Sequence, residues 1–197
     1  MRTPAVLLAA AALAWLAVAA YEPPMGAAGF VVGWTLMMAA MMLPSIVPLA
    51  ALLPGGQTRL AAGYLSTWAA TGLVPWEAME HGLSPALPLV LAAAGAYELT
   101  PLKGACLRRC RNPVGFVIAR SGGGPFRLGV EHGVWCVGCC VGLMVVLVLA
   151  ASMSLAAAAI VGGVVFVQKV LPLGETTARL TGAVLLASAA VVTVALA

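Results

Sequence analysis

Sulfur and imidazole side chains recur in this chain at spacings that suit soft-metal or redox chemistry. His132, Cys136, Cys140 and Met144 follow one another at four-residue steps, with Cys139 three residues after Cys136. On a helix such positions share one slowly winding face. A Cys-x-x-Cys pair with an imidazole one turn earlier offers soft ligands within reach of one ion. The same dithiol could exchange electrons if a thiolate forms, which apolar burial opposes. Cysteine is also a small buried hydrophobe, so packing alone is a third reading. A second group, Met37, Met38, Met41 and Met42, crowds four thioethers into six residues. Thioethers and thiolates select Cu(I) over hard cations, although methionine also fills helix interfaces as a flexible hydrophobe. Cys106 and Cys110 are four residues apart, so a short helix would turn both thiols to one side.

The elements that must position these groups follow from composition. The chain has 197 residues, of which 63% are hydrophobic and 8% charged, and it contains no Asp. A soluble domain carries about 25% charged residues, so this inventory points to an integral membrane protein. The apolar runs are too long for the short alternating segments of a β-barrel. The expected fold is all-α: a polytopic transmembrane bundle of about seven helices at residues 4–20, 29–53, 60–76, 85–99, 129–151, 155–171 and 178–197, with a basic loop at 100–128. Residues 1–197 read as a single integral membrane domain. The first segment also fits a signal peptide, which would leave six helices. The 22 glycines suggest closely approaching helices. Ser121 to Pro125 reads as a flexible joint.

The charges support this division. With the N-terminus inside, Arg2, Arg59, Lys103, Arg108, Arg109, Arg111, Arg120, Arg127, Lys169 and Arg179 all fall in or beside inner segments, and the outer side receives Glu22, Glu77, Glu80 and His81. Positive charge gathers on the cytoplasmic side of membrane proteins, which gives N-in and C-out. At 1.5 Å per residue, Met37 to Met42 lie roughly 12 to 20 Å from the outer start of their segment. Cys136 to Cys140 lie roughly 10 to 17 Å from the inner start of theirs. In a hydrocarbon core of about 30 Å the two groups can therefore meet.

Other polar groups have more ordinary readings. Glu98 and Glu131 can pair with Lys103, Arg108 or Arg127, or a carboxylate can orient His132 as outer partners do for metal-bound imidazole. His81 with Glu77 and Glu80 reads as a solvated acidic patch or a weak metal-capture site. No Ser-His-Asp arrangement is present. No Gly-x-x-x-x-Gly-Lys-Ser loop is present either, which excludes an ATP-driven pump within this chain.

Several motifs together resemble a known family. They are Trp34-Thr35 with Met37-Met38-Ala39-Ala40-Met41-Met42-Leu43-Pro44-Ser45, Tyr97 to Lys103 leading to Cys106-Leu107-Arg108-Arg109-Cys110-Arg111-Asn112-Pro113, His132-Gly133 with Trp135-Cys136-Val137-Gly138-Cys139-Cys140, and Gln168-Lys169-Val170-Leu171-Pro172. The chain resembles a bacterial family of predicted metal-binding integral membrane proteins of unknown function. The resemblance implies glutamine after Tyr97, where this chain carries Glu98. It also implies a multi-pass protein of the bacterial inner membrane.

The expected function is therefore the handling of a soft transition metal, copper in the first place and zinc as the alternative, by a transporter, a chaperone or an assembly factor for a copper enzyme. His132, Cys136, Cys139 and Cys140 would form the tight site, Met37, Met38, Met41 and Met42 the path, and Cys106 and Cys110 an exchange point at the inner surface. No catalytic residue is assigned. Two other classes stay open: a membrane thiol-disulfide oxidoreductase, and a non-catalytic subunit of a larger membrane complex. The expected partners are the lipid bilayer, other membrane subunits or a copper enzyme, and a second copy of the chain, with no nucleic acid.

Overall fold

The computed structural model describes residues 3–21, 26–82, 85–120, 122–150 and 153–196. Arg2 and Glu22 of the charge argument, Ser121 of the joint and the segment ends Ala151 and Ala197 lie outside them. Among the described residues every regular element is helical. Helix α1 spans Thr3–Ala20. The apolar run expected over 29–53 is interrupted. It forms α2 (Ala27–Met42), a 3-10 turn (Leu43–Ile46) and α3 (Val47–Ala51). Pro44 has no N–H to give and its ring collides with the carbonyl one turn back, so a regular helix stops there. The Ser45 hydroxyl donates to the freed carbonyl of Met42 at 2.8 Å.

The run at 60–76 divides for a similar reason into α4 (Gln57–Thr71) and α5 (Leu73–Glu80). Pro75 removes a donor just past Gly72. The Trp34 indole lies against Gly72 and donates to the carbonyl of Trp68 at 2.8 Å. Helix α6 spans Leu87–Glu98. The interval 100–128, drawn as a basic loop, is largely helical. It holds α7 (Pro101–Cys110), α8 (Pro113–Ile118) and the first turn of α9 (Pro125–Leu149). The reason is capping. The Thr100 hydroxyl accepts from the Lys103 N–H and the Asn112 side-chain oxygen Oδ1 from the Gly115 N–H, and each cap is followed by a proline at the first helical position. Helices α10 (Leu155–Val170) and α11 (Gly174–Leu196) complete the chain.

Helix α9 is the centre of the packing, with α4, α6 and α7 laid against it. The α4–α9 crossing is backbone on backbone. A Cβ at Gly63 would collide with the carbonyl of Phe126, and one at Gly129 with the carbonyl of Leu60. Helices α6 and α11 approach in the same way through Gly95 and Gly182. Small residues at such crossings let backbones reach contact distance. Gly129→Val should therefore lower stability by about 1–3 kcal/mol or more, the usual scale of overpacking, because neither backbone can give way alone. A denaturation midpoint compared with an exposed control such as Val184→Ala measures it.

Three helical stretches are long and apolar enough to cross a membrane by length and composition: Ala27–Ala51, Pro125–Leu149 and Gly174–Leu196. The apolar helices Ala5–Ala20, Leu87–Glu98 and Leu155–Val170 are shorter. With 12 residues α6 is about 18 Å long.

Candidate metal centre

The buried face of α9 carries His132, Cys136, Cys139, Cys140 and Met144. The three cysteines of this set are neighbours in space: the Sγ atoms of Cys136, Cys139 and Cys140 all lie within 4.8 Å of one another. Cys139 and Cys140 approach to 3.5 Å, and the Cys139 thiol reaches the Cys136 carbonyl at 3.2 Å. All three are at most 1% exposed. Helix α7 adds a fourth sulfur, with Cys110 Sγ at 3.7 Å from Cys139 Sγ. The i, i+4 spacing does turn Cys106 and Cys110 to one buried side of α7, but Cys106 stays outside the group of three. Its sulfur sits against Gly138, where a Cβ would be 2.8 Å away. Burial pushes the Cys106 thiol up from its ordinary range, opposed by the charges of Lys103 and Arg109.

The four methionines are all buried, Met38 and Met42 completely. Met41 packs against Gly162 of α10. Met42 is linked to the cysteines through Lys169. The Lys169 ammonium lies 2.6 Å from Cys136 Sγ and 3.9 Å from Met42 Sδ. Lys169 is 7% exposed and has no carboxylate partner among the described residues. A buried cation without an anion is costly. The thiol cluster is the adjacent group able to supply one. Tyr64, fully buried, closes the other side, its hydroxyl 2.8 Å from Cys136 Sγ. Neither Tyr64 nor Lys169 was singled out as a site residue. The signal for Lys169 was a charge in the last turn of an otherwise apolar helix, beside Gln168.

His132 is wedged between Tyr64 and the edge of Phe116, with ring centroids at 6.0 and 5.2 Å. Its Nδ1 is buried with no hydrogen-bond partner among the described residues. Such an orphan asks for an explanation, but the ring nitrogens of His132 are not part of the group of three sulfurs that lie within 4.8 Å of one another. Glu131 does not orient this imidazole. Glu131 pairs with Arg120 and, at 3.0 Å, with Arg127. His81 and Glu77 form an exposed contact at 3.4 Å. Glu98 belongs to a separate buried network. It meets Lys103 Nζ at 2.7 Å, Lys103 also donates to Gln168 Oε1 at 2.9 Å, and Gln168 Nε2 donates back to Glu98 at 3.2 Å.

A dry cluster of three thiols, with a thioether alongside and an unpartnered imidazole on the same helix face, is a donor set for a soft monovalent ion. The family model for copper chaperones, PpoB2, matches residues 31–192. The chain belongs to this copper chaperone family. The matched span holds every candidate ligand, from Met37 to Cys140, and Lys169 as well. The metal-binding part of the resemblance is thereby met, and copper takes precedence over zinc as the ion to test. No curated protein and no solved structure matches the chain.

Proposed function

We propose that the chain is a membrane-embedded copper chaperone that holds Cu(I) at Cys136, Cys139 and Cys140, as a transporter or as a supplier to a copper enzyme. The single observation that carries this is the three-thiol cluster, buried beside Met42 and compensated by Lys169. In this reading His132 is the further ligand, and Met37, Met38 and Met41 offer thioethers to the ion. Cu(I) is the fitting cargo because it accepts low coordination by sulfur and needs no water to be retained.

The membrane reading is supported by an inverted surface. Polar Glu98, Lys103, His132, Gln168 and Lys169 are buried, while Leu13, Leu16, Ile160, Leu180, Val184, Val191 and Val194 are each more than 60% exposed. Lipid satisfies such a surface and water does not. Seven crossings, N-in and C-out, in a bacterial inner membrane remain the topology that this reading adopts from the charges. The break after Met42 fits it too, since irregular backbone at membrane depth is tolerated where it lines a cavity. Cysteine-accessibility mapping at positions 55 and 82 in intact cells tests the orientation. Labelling of position 55 from outside the cell would sink it.

The protein, purified in detergent with copper and zinc both supplied under reducing conditions, should carry about one copper per chain, and the Cys136/Cys139/Cys140→Ser variant none, by elemental analysis. One observation favours a second reading. Cys110 and Cys139 are close enough that a small shift would let them pair, which a thiol-disulfide oxidoreductase would use. A metal-free protein isolated with paired thiols would move that reading to first place.

A further inference from the structure

A cavity of about 150 Å³ runs inward to Cys110, the neighbour of the cysteine cluster. Its rim includes Pro48 of α3 and Val170 at the end of α10, both exposed, and its floor includes buried Cys110, His132 and Lys169. The rim is held in one shape. The Arg111 guanidinium donates to the carbonyls of Gln168 and Leu171, each at 2.6 Å, and of Pro172 at 3.2 Å. That strap ties the end of α7 to the end of α10. Gly174 admits it, because a Cβ there would overlap both Arg111 and the Gln168 carbonyl. Cys110 stands at both ends of the passage: it lines the cavity, and its sulfur lies 3.7 Å from Cys139. The volume is that of about five waters. It admits a thiol side chain and excludes a bulky aromatic chelator.

We propose that Cys110 is the exchange ligand through which Cu(I) passes between the Cys136/Cys139/Cys140 cluster and a small soluble thiol of the glutathione class presented at this mouth. The proposal rests on the copper reading above. In the outward step a Cu–Sγ bond forms to Cys110 as the bond to Cys139 breaks, and the Cys110 proton passes to the Cys139 thiolate. Incoming thiols then replace Cys110, Cys136 and Cys140 in turn: each forms one Cu–S bond as one protein bond breaks, and each gives its proton to the cysteine thiolate it displaces. Copper stays Cu(I) throughout, and no oxidant or reductant is consumed. His132 also lines this cavity, and its Nδ1 has no partner among the described residues.

The test is the rate at which the loaded full-length protein gives up Cu(I) to glutathione, read by trapping with bathocuproine disulfonate. The wild-type rate should rise with glutathione concentration. Cys110→Ser, compared at equal copper content with the wild type, should unload at least about tenfold more slowly, the scale of losing a partner at a metal site. Val170→Trp, which keeps all five cysteines and covers the mouth, should slow unloading as well. Unloading of both variants at the wild-type rate, or a wild-type rate independent of glutathione, would overturn the proposal. Size-exclusion and melting profiles show whether Cys110→Ser is folded, and Val170→Trp decides the matter if it is not. Failure of the copper reading itself is seen earlier, at loading: a wild type that binds no copper, or a Cys136/Cys139/Cys140→Ser variant that binds as much.

Discussion

Cys139→Ser should lower the affinity for Cu(I) by about 100-fold or more, beyond the 10- to 100-fold that loss of a mere outer partner brings. Cys139 is the centre of the cluster. Its sulfur is the one in contact with Cys140 at 3.5 Å and Cys110 at 3.7 Å, and its thiol meets the Cys136 carbonyl at 3.2 Å. Serine keeps the shape and the ability to donate to that carbonyl, but a hydroxyl is a hard, protonated ligand that does not compete for Cu(I). The fold should survive, because one exchanged polar group inside a helix costs about 1 kcal/mol. Competition with bathocuproine disulfonate measures the affinity, and a thermal melt of the metal-free protein controls for folding. An unchanged affinity would remove Cys139 from the site. A collapse of the metal-free protein would assign it to the core instead.

The second large effect is on stability. Glu98→Ala should destabilise the protein by about 3–5 kcal/mol, the cost of stranding a buried charge. The stranded group is Lys103, 1% exposed and bonded to Glu98 at 2.7 Å. Gln168 can still accept from it at 2.9 Å, yet that leaves the charge itself unbalanced. Glu98→Leu combined with Lys103→Leu should recover most of the loss, since an apolar pair of similar volume is often as stable as a buried ion pair. Glu98→Gln should fall between, because it keeps an acceptor for the ammonium without the charge. Unfolding midpoints of the four proteins test the cycle. Equal loss in the single and double variants would show that neighbouring packing, rather than charge balance, explains it. The same experiment speaks to the glutamine implied by the family resemblance. With Lys103 as its partner, Glu98 is a structural anion that ties α6 to α7, and Gln168 extends the tie to α10 and, at 3.4 Å, to Thr181 of α11.

The inward face of α9 was legible in the sequence. Period and burial go together on a helix, so the four-residue steps from His132 to Met144 became the inward face of α9 for the reason that an apolar stripe does. The cysteine spacing placed Cys106 and Cys110 together on the buried side of α7. Proline at 44 and at 75 announced chain breaks that the apolar runs concealed, and treating each run as one helix ignored the missing N–H. The interval 100–128 was drawn as a loop because its charge outweighed its caps, although Thr100-Pro101 and Asn112-Pro113 are start signals that need no tertiary help.

What the sequence determined by itself is the chemistry and the class. Its composition is 63% hydrophobic and 8% charged, its apolar runs make helices, and its sulfur set offers soft ligands. Spacing along one helix can also place His132, Cys136, Cys139 and Cys140 on one face, since those distances are set by 1.5 Å and 100° per residue. Only the tertiary structure decided which groups from other helices complete the site. Lys169 reaches Cys136 from α10, Tyr64 does so from α4, Met42 arrives at the break after α2, and Cys110 comes from α7. Those contacts depend on how far backbones approach, and Gly63 against Phe126 and Gly129 against Leu60 set that distance through atoms that are absent. A side chain's reach is written in its formula, but its neighbour is chosen by the crossing of two helices, which no local pattern contains.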